Sequence, residues 1–571
     1  MQGIDSIKFI PLGQRALIIQ WPAGIDPKTI KQIWQLRQIL LHESIRDSIV
    51  AYHSLTLVFM RPQKDFAPWI DWIRDSWIGS DQSIRGSASP NIPPDQLKKT
   101  KNERPKKIIE VPVCYDPELA PDLEAFLKAK NLNLSQLIKA HTAREYPLYF
   151  YGFQPGFMYL GGLNPDLHHA RKSVPAQSVP AGSVAIGGAQ TGIYPNTAPG
   201  GWHVIGRCPL KLFNPLDSEP CLAKPGDLIK FVPINKDEFQ AYLTESQTAS
   251  HIAKTQQRAK IKFGQIEVLK PGIHSSIQDA GRFGHAVLGV PQSGPMDQES
   301  HRLANELLGN GADFAAVEIT FGGAALKFQS ATIIAITGAD YSPAINQLKV
   351  AMNEPIAVNS GDVLSFGQRN WGVRSYLGVL GGVQSPKIMD SRSQYQTITP
   401  EFRLTKGALI PIPLINDKDL SSLRTHGSEI NKDDLIKAMD LSRANPSDIS
   451  SIMGPKAFKT NQPLELEVLI GPEYRRLQEQ GKNKLLGTFT LWRNDRMGYL
   501  VQEKVNNELQ PIHTSGALPG TVQLTPGGQI IILMNDGQTT GGYPRIFQLT
   551  EKAKALLSQC AQGQKIKFKI A

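Results

Sequence analysis

Two similar phrases, far apart in the chain, contain residue types that could bind a small polar ligand. "QTGIYP" runs from Gln190 to Pro195, and "QTTGGYP" runs from Gln538 to Pro544. Amide and hydroxyl side chains can hydrogen-bond a ligand there, and glycine lets the backbone approach it closely. We therefore single out Gln190, Thr191, Tyr194, Gln538, Thr539 and Tyr543 as candidate substrate-binding residues. The alternative for each phrase is a tight turn built on glycine and proline.

The elements that must position these phrases are short strands. Three similar strand beginnings, "GDLIKF" (226–231), "GDVLSF" (361–366) and "GQKIKF" (563–568), each place a turn glycine before an alternating strand. "VPAGSV" (179–184) precedes the first polar phrase, and "LPGTV" (518–522) precedes the second. We infer three related β-barrel units, and we expect the two polar phrases at corresponding places in the first and third.

Composition shifts divide the chain into parts. Strand-like and helical runs near the start predict a small α+β unit, and the β-rich runs later in the chain are typical of barrels. The expected parts are an N-terminal α+β unit (1–85), a linker (86–107), a barrel (108–235), a second linker (236–262) and a region of two barrel halves (263–571).

Composition also limits the class of protein. The 571 residues are 41% hydrophobic and 20% charged, as in soluble multidomain proteins. No apolar run approaches the roughly 18 residues of a membrane helix, and the start lacks the features of a signal peptide. We expect a cytoplasmic protein with no membrane association.

The charge and the cysteines exclude further classes. The net charge is +11, but much of the densest basic run (98–107) lies in the first linker without interleaved aromatic residues. This argues against nucleic acid as a partner. The four cysteines have neither zinc-site spacing nor the density of a disulfide scaffold, so we predict reduced thiols and no metal ligands among them.

A first group of motifs lies between residues 152 and 207. "GFQPGFMYLGGL", "VPAGSVAIGGAQTGIYP" and "PGGWHVIGR" resemble the allophanate hydrolase subunit 1 family, also called the B-type subunit of 5-oxoprolinase. The family usually has a Pro-Arg pair where Pro175 is followed here by Ala176. An anion-binding role in that loop would therefore depend on Arg171 alone.

A second group of motifs lies farther along the chain. "QDAGRFG" (278–284), "GVPQSGPMD" (289–297), "VEIT" (317–320) and "LPGTVQLTPGGQIIILMNDGQTTGGYP" (518–544) resemble the allophanate hydrolase subunit 2 family, also called the C-type subunit of 5-oxoprolinase. After "SRS" (391–393) the family usually continues with a glycine-rich loop that is absent here. The two resemblances imply a fusion with a mainly β fold, in which a ferredoxin-like N-terminal unit precedes three cyclophilin-like β-barrels.

The resemblance implies an activity, namely the ATP-dependent opening of 5-oxo-L-proline to L-glutamate. It also implies a separate A-type partner protein of the LamB/YcsF family, with ATP and Mg²⁺ as cofactors that are bound on this chain or with that partner. A lactam is a poor electrophile, so a feasible route phosphorylates the amide oxygen before water adds. Such a site needs cationic or amide donors and carboxylates.

The chain offers residues of these types. The candidates for catalysis are Arg207, Asp279, Arg282 and Asp297, and the additional candidates for substrate binding are Arg171, His203, Gln278 and Asp536. No Walker-type phosphate loop is present, so a nucleotide bound here would be held in another way. If the polar phrases are pocket rims, the residues that should face a concavity are Gln190, Thr191, Tyr194, Asp279 and Arg282.

Each charged candidate also has a structural alternative. Arg207 and Arg282 follow glycine in β-rich regions, where an arginine often forms a structural ion pair. Asp297 precedes a helical pattern and could cap that helix. His203 could be a structural histidine that is already hydrogen-bonded.

Two other classes of function stay open. The same domains occur in urea carboxylase as a carboxyltransferase, although this chain has no biotin-accepting Met-Lys-Met. Other relatives regulate a histidine kinase without being enzymes, but fusion of both partners favours a permanent assembly.

Overall fold

The computed structural model describes residues 6–79, 106–172, 174, 176–253, 263–414 and 462–571. Most of the first expected linker, the end of the second (254–262) and Pro175 lie outside the described residues. The start of the second linker is a helix, α5 (Lys236–Ala253). In the described ranges, no helix is long and apolar enough to cross a membrane.

The N-terminal unit is an antiparallel sheet of order β1-β2-β4-β3 with two helices. Its elements are β1 (Lys8–Leu12), β2 (Ala16–Gln20), α1 (Pro27–Ile39), β3 (Ile45–Ala51), β4 (Ser54–Phe59) and α2 (Ala67–Gly79). The Asp26 carboxylate accepts a hydrogen bond from the Thr29 amide at 2.9 Å, which starts α1. Ile30, Ile33 and Leu36 share one buried face of this helix. The expected α+β unit is therefore present.

The next unit is a closed seven-stranded barrel. Its strands and the elements around it are β5 (Ile108–Cys114), α3 (Leu123–Lys130), α4 (Leu134–Thr142), β6 (Glu145–Tyr151), β7 (Met158–Leu160), β8 (Ala176–Val179), β9 (Ser183–Gly187), β10 (Gln190–Ile193), β11 (Ala198–Gly200), β12 (His203–Arg207) and β13 (Leu228–Ile234). β8 and β11 form a separate small sheet. The Tyr52 ring of the N-terminal unit packs on Phe150 of the barrel with centroids 4.8 Å apart, so the two units share one core.

The middle unit consists of a six-stranded and a five-stranded sheet, ordered β20-β19-β22-β17-β14-β24 and β15-β16-β23-β18-β21. Its elements are β14 (Gly264–Pro271), β15 (His274–Gln278), α6 (Gln298–Glu306), β16 (Ala316–Thr320), β17 (Ala324–Phe328), β18 (Thr332–Asp340), β19 (Ala344–Ile345), β20 (Leu348–Lys349), β21 (Pro355–Val358), β22 (Val363–Ser365), β23 (Trp371–Val379) and β24 (Leu409–Ile412). The core of this unit lies between the two sheets.

The last unit is a second closed seven-stranded barrel. Its elements are β25 (Leu464–Ile470), α7 (Glu479–Leu485), β26 (Thr488–Asn494), β27 (Gly498–Lys504), β28 (Ser515–Gly516), β29 (Thr521–Leu524), β30 (Gln529–Leu533), β31 (Thr540–Gly541), β32 (Arg545–Leu549), α8 (Glu551–Ser558) and β33 (Lys565–Ile570). The mainly β fold class is confirmed, with two of the three expected barrels closed and the middle unit built from two sheets.

The two closed barrels have the same topology. Around the first barrel the order is β5-β12-β9-β10-β7-β6-β13, and around the last it is β25-β32-β29-β30-β27-β26-β33. In both barrels the first and last strands pair in parallel. The inferred duplication is therefore visible in the strand order.

The two polar phrases do not occupy corresponding places, so that expectation is wrong. Residues 190–193 form β10, whose counterpart in the last barrel is β30. "QTTGGYP" instead lies between β30 and β32. The equivalent segment of the first barrel, between β10 and β12, contains residues 197–202. The expectation failed because the phrase is short. A glycine-rich turn and the beginning of a strand can contain the same few polar residues.

A partly buried carboxylate links the N-terminal unit to the second half of the chain. Asp47 on β3 accepts hydrogen bonds from the backbone amides of Gly284 at 2.9 Å and Ala286 at 3.2 Å. Burial raises the pKa of Asp47 to about 6, although these amides favour its charged form. Two backbone donors of one half of the chain therefore depend on a side chain of the other half.

Replacing Asp47 with alanine should destabilise the contact between the two halves. The amides of Gly284 and Ala286 would lose their acceptor, which costs about 1–3 kcal/mol. Denaturant unfolding followed by tryptophan fluorescence would measure the loss, and Asp217→Ala is an exposed control. Equal unfolding midpoints for both variants would contradict this role.

Candidate functional site

A cavity of about 830 Å³, which we call the central cleft, lies where loops of the first barrel, the middle unit and the last barrel meet. Residues that represent these three walls are Phe153, Asn196, Thr320, Tyr395, Arg496 and Asp536. No single unit forms the cleft, because both halves of the chain supply walls. A concave site lined by loops of rigid barrels is where small ligands commonly bind.

The floor of the central cleft is an ion network around Arg496. This guanidinium donates to Glu318 at 2.5 Å and to Asp536 at 2.8 Å. It also donates to the Gln278 side-chain oxygen at 3.3 Å and to the Gly294 carbonyl at 2.6 Å. One arginine of the last barrel therefore links four segments of the second half of the chain.

A short hairpin between β26 and β27 positions Arg496. The Asp495 carboxylate accepts hydrogen bonds from the Met497 amide at 2.8 Å and from the Gly498 amide at 3.0 Å. This side-chain to backbone turn fixes the direction in which Arg496 leaves the backbone. The sequence "NDRMG" (494–498) therefore contains both the aspartate that forms the turn and the arginine that carries the positive charge.

Glu318 is a fully buried carboxylate on β16. Its second oxygen accepts from the Tyr376 hydroxyl at 2.8 Å and from the Met296 amide at 2.9 Å. Burial raises its pKa, but Arg496 and Arg374 more than offset burial, so the pKa lies below its ordinary value. Glu318 is therefore charged at neutral pH.

Arg374 extends this network toward the end of α8. Its side chain donates to the Tyr499 hydroxyl at 3.0 Å, and its backbone amide donates to the Gln559 side-chain oxygen at 2.9 Å. The Gln559 amide nitrogen in turn donates to Asp297 at 2.7 Å. The result is a continuous polar connection from α6 to the floor of the central cleft.

The structure places Gln278, Asp536 and Gln538 at or beside the central cleft. Asp536 and Gln538 line it, and Gln278 lies one hydrogen bond behind Arg496. Glu318 and Arg374 are the functional candidates that sequence reasoning missed. The available signal was a charged residue inside an otherwise apolar strand, in "AVEIT" and "WGVRSYLGV".

Asp279 and Arg282 are buried and do not face a concavity, which corrects the expectation that they do. Asp279 accepts from the hydroxyls of Ser391 at 2.6 Å and Ser393 at 2.7 Å. Arg282 donates to the carbonyls of Ile388 at 3.0 Å and Ser393 at 2.8 Å. Both residues hold the loop whose next residues line the cleft, so their geometry is that of positioning residues.

Asp297 caps α6, as its structural alternative proposed. Its carboxylate accepts from the Ser300 amide at 3.0 Å and from the Ser300 hydroxyl at 2.6 Å. The residue has no exposed surface, and its carboxylate also accepts a hydrogen bond from the Gln559 side chain. Asp297 therefore does not touch the cleft directly.

Thr191 and Tyr194 lie in the interior of the first half, which also corrects the expectation of an open concavity. The Thr191 hydroxyl donates to the Ala185 carbonyl at 3.2 Å and lies 3.0 Å from His141 Nε2. Because this hydroxyl has one proton, it accepts from a neutral His141 that is protonated on Nε2. Tyr194 packs edge-on against Phe157, with ring centroids 5.3 Å apart.

Two further candidates of the first barrel, Arg207 and His203, contact the backbone. Arg207 donates to the Ala181 carbonyl at 3.1 Å, and His203 Nε2 lies 3.0 Å from the Ala170 carbonyl. Both contacts agree with a structural role, although Arg207 pairs with a carbonyl and not with a carboxylate.

The remaining candidates are Gln190 and Arg171 in the first half of the chain and Thr539 and Tyr543 in the last barrel. Gln190 is buried on β10 and Thr539 is buried after Gln538, while Arg171 and Tyr543 reach solvent. The Arg171 guanidinium lies 6.0 Å from the Trp202 ring centre. A Cβ on Gly542 would lie 3.0 Å from Arg171 Nη1, so glycine permits this close approach. The structure thus places some candidates at the central cleft, brings Arg171 beside the last barrel, and buries most of the others.

The geometry agrees with the matches to family models. The model described as "Carboxyltransferase domain, subdomain C and D" matches residues 7–223, and "Carboxyltransferase domain, subdomain A and B" matches residues 288–570. The crystal structure of TTHA0988 has a TM-score of 0.73 at 22% identity, covering 97% of this chain and 99% of that one. This similarity shows that another protein has the same fold over nearly the whole chain.

Several curated proteins are similar to parts of the chain. The 5-oxoprolinase B-type subunit of Bacillus subtilis is 48% identical over 141 residues, or 25% of this chain and 59% of that protein. The B-type subunit of Escherichia coli O157:H7 is 34% identical over 223 residues, or 39% of this chain and 94% of that protein. The 5-oxoprolinase C-type subunit of Haemophilus influenzae is 31% identical over 315 residues, or 53% of this chain and 90% of that protein.

A further relative has a different name. The urea amidolyase of Saccharomyces cerevisiae is 42% identical over 131 residues, or 23% of this chain and 7% of that protein. Fold, cleft and matches together define a carboxyltransferase-domain protein. The chain belongs to the families of the B-type and C-type subunits of 5-oxoprolinase, with a B-type part followed by a C-type part in one polypeptide.

Thr191→Val should lower the free energy of unfolding and leave ligand binding unchanged. The His141 Nε2 proton would lose its acceptor inside the barrel, at a cost of about 1–3 kcal/mol. Denaturant unfolding measures this loss, with the exposed strand residue in Thr488→Val as the matched control. If the unfolding midpoint is unchanged and activity is lost, Thr191 binds ligand and its role is not structural.

His141 should make the fold sensitive to acid. Burial lowers its pKa from 6.5 to about 3, so the folded barrel favours the neutral ring. The corresponding stability is present above pH 6.5 and is lost, by about 1.4 kcal/mol per pH unit, as the pH falls toward 3. Unfolding midpoints between pH 7 and pH 4 should fall less steeply in His141→Gln than in the natural chain, and parallel slopes would refute this assignment.

Proposed function

We propose that this chain is a component of an ATP-dependent 5-oxoprolinase, which opens 5-oxo-L-proline to L-glutamate together with a separate A-type partner protein. The observation that carries the proposal is the shared cleft, because the B-type and C-type parts both supply its walls. The names of the relatives of both parts support the same activity.

The chemistry requires activation of an amide. When the lactam oxygen attacks the γ-phosphorus of ATP, ADP leaves and the ring carbon becomes electrophilic. Water then adds to that carbon, and the ring carbon–nitrogen bond breaks as the nitrogen takes up a proton, which leaves an acyl phosphate. A second water hydrolyses the acyl phosphate and releases L-glutamate and phosphate. A cleft that presents amide and guanidinium donors suits the negative charge of such an intermediate.

Among the described residues, the two carboxylates that line the central cleft, Asp495 and Asp536, already have partners. Mg²⁺ in nucleotide sites is commonly held by one or two carboxylates plus phosphate oxygens. Asp536 is already paired with Arg496, and across the described ranges no three His, Cys, Asp or Glu side chains are grouped to hold a metal ion. We therefore propose that the A-type partner protein binds ATP and Mg²⁺.

The direct test is reconstitution. The purified chain with the A-type partner protein, ATP, Mg²⁺ and 5-oxo-L-proline should release L-glutamate and ADP in equal amounts, because phosphorylation couples the two. The chain alone should release neither. Coupled release by the chain alone would refute the need for a partner, and no release by the complex would refute the activity.

Gln538→Ala should lower turnover of the complex while the fold stays intact. Gln538 is only partly buried and lines the cleft, so its loss removes an amide donor without opening a core. We expect roughly a tenfold or greater loss of kcat/KM. Gln502→Ala, an exposed glutamine of the same barrel, is the matched control. Equal kcat/KM in both variants would remove Gln538 from the site.

A carboxyltransferase role is the second candidate, because a segment of the chain is similar to urea amidolyase. It predicts transfer of a carboxyl group from carboxybiotin to an amide or urea acceptor, with no glutamate release. The same reconstitution with carboxybiotin in place of ATP separates the two activities. A purely regulatory role would give neither product.

A further inference from the structure

Ring opening in the central cleft requires a group that moves protons. The attacking water must lose a proton as it bonds to the ring carbon, and the ring nitrogen must gain one as the carbon–nitrogen bond breaks. A side chain suits both steps if it faces the cleft, exchanges a proton near neutral pH and is not already bonded within the protein. The titratable side chains among the described cleft residues are His274, Arg374, Tyr395, Asp495, Arg496 and Asp536.

The two carboxylates of the cleft are already used as hydrogen-bond acceptors. Both oxygens of Asp536 accept from the Arg496 guanidinium, at 2.8 and 3.2 Å. Asp495 serves its own hairpin, where it accepts from the amides of Met497 at 2.8 Å and Gly498 at 3.0 Å. These contacts hold the floor of the cleft together, so neither carboxylate is suited to carry a proton between water and substrate.

Arginine and tyrosine do not exchange protons near neutral pH in this cleft. Arg374 and Arg496 stay charged, because an arginine side chain does not lose its proton in proteins. Burial and the negative charge of Asp536 raise the pKa of Tyr395 well above its ordinary value of 10. Among the described cleft residues this leaves His274, since a histidine ring ordinarily titrates near pH 6.5.

Strand register directs His274 toward the cleft. His274 begins β15 and lies directly opposite Thr320 of β16, which lies directly opposite Arg374 of β23. Residues opposite each other in antiparallel strands have their side chains on the same face of the sheet. All three members of this cross-strand row line the central cleft. The position of the His274 ring is therefore fixed by three paired strands.

The neighbouring row on the same face leads to the ion network. Ser276 is two residues from His274 along β15, so the two side chains share a face, and Ser276 lies opposite Glu318 of β16. The Gln278 side chain, two residues farther along, donates to the Ser276 hydroxyl at 2.9 Å and accepts from Arg496 at 3.3 Å. His274 thus shares one sheet face with Glu318 and with the residues that contact Arg496.

The His274 ring is free to act on a ligand. It is partly buried, and it makes no hydrogen bond with the part of the chain that the structure describes. Burial and the positive charges of Arg496 and Arg374 lower its pKa below 6.5, against the opposite effect of Glu318 and Asp536. The ring is therefore neutral at neutral pH. A proton that it accepts is held weakly and is readily passed on.

We propose that His274 is the proton-transfer residue of the central cleft, which takes a proton from the water that attacks the ring carbon and gives it to the ring nitrogen. This role rests on the proposed function. As the water oxygen bonds to the carbon, one of its protons passes to His274 and the electron pair of the carbon–nitrogen double bond moves to nitrogen. As the ring opens, the electron pair of the breaking bond stays on nitrogen, which takes the proton from His274. The oxygen loses its second proton to solvent and becomes the carbonyl oxygen of the acyl phosphate.

His274→Gln in the reconstituted complex separates this step from phosphorylation. Glutamine keeps a polar side chain but cannot exchange a proton near neutral pH, and transfer of the phosphoryl group does not use His274. In a single turnover, ADP should still form, whereas release of L-glutamate should slow by about a hundredfold or more. His42→Gln, which changes an exposed histidine of the N-terminal unit, should release both products as the natural chain does.

The pH dependence and chemical rescue distinguish proton transfer from packing. In the natural complex, kcat/KM for 5-oxo-L-proline should rise with pH through a pKa below 6.5, because only the neutral ring accepts a proton. His274→Gln should lack this rise. Added imidazole should restore part of the L-glutamate release in His274→Ala, which a structural role would not allow. The same rise in His274→Gln together with no gain from imidazole would overturn the proposal.

The natural complex shows whether the residue or the proposed function fails. If the natural complex releases L-glutamate and His274→Gln does so at the same rate, His274 is not the proton-transfer residue and the activity stands. If the natural complex forms neither ADP nor L-glutamate, the proposed function is wrong and the role of His274 falls with it. If the melting temperature of His274→Gln drops below the assay temperature, the loss of turnover comes from unfolding, and unaltered turnover in His274→Asn would then overturn the proposal.

Discussion

The second half of the molecule depends on keeping one buried carboxylate charged. Glu318 has no exposed surface, and removing such a charge from water is costly unless partners surround it. Arg496 comes from the last barrel, while Arg374 and Tyr376 come from the middle unit. The two units must therefore meet in one relative arrangement, because any other arrangement would leave an unpaired charge inside the protein.

This constraint shapes the loops that line the central cleft. Arg496 can reach Glu318 and Asp536 at the same time only if its hairpin is held rigidly, and Asp495 provides that rigidity. Asp279 does the same for the loop that begins at Ser391. Asp279 and Arg282, which the sequence suggests as catalytic residues, thus hold a loop in place. Later residues of that loop, such as Tyr395, line the cleft.

Sequence reasoning reached the fold class and the two-part organisation because they depend on patterns spread over many residues. It also offered the correct alternative for Asp297, since helix capping is local and visible within a few positions. It did not find Glu318, whose partner Arg496 lies 178 positions away, because no local pattern reports such a distance. Thr191 shows another limit. Alternation along a strand defines two faces, but it does not show which face of a short barrel strand points inward.

The chain also joins in one polypeptide what the curated B-type and C-type subunits divide between two proteins. Asp47 and the amides of Gly284 and Ala286 form a contact of modest size that separate polypeptides would have to find by diffusion. In a single polypeptide the two sides are always present in a one-to-one ratio, and their encounter does not depend on how dilute the protein is. A wall of the cleft therefore cannot be lost by uneven synthesis of two components.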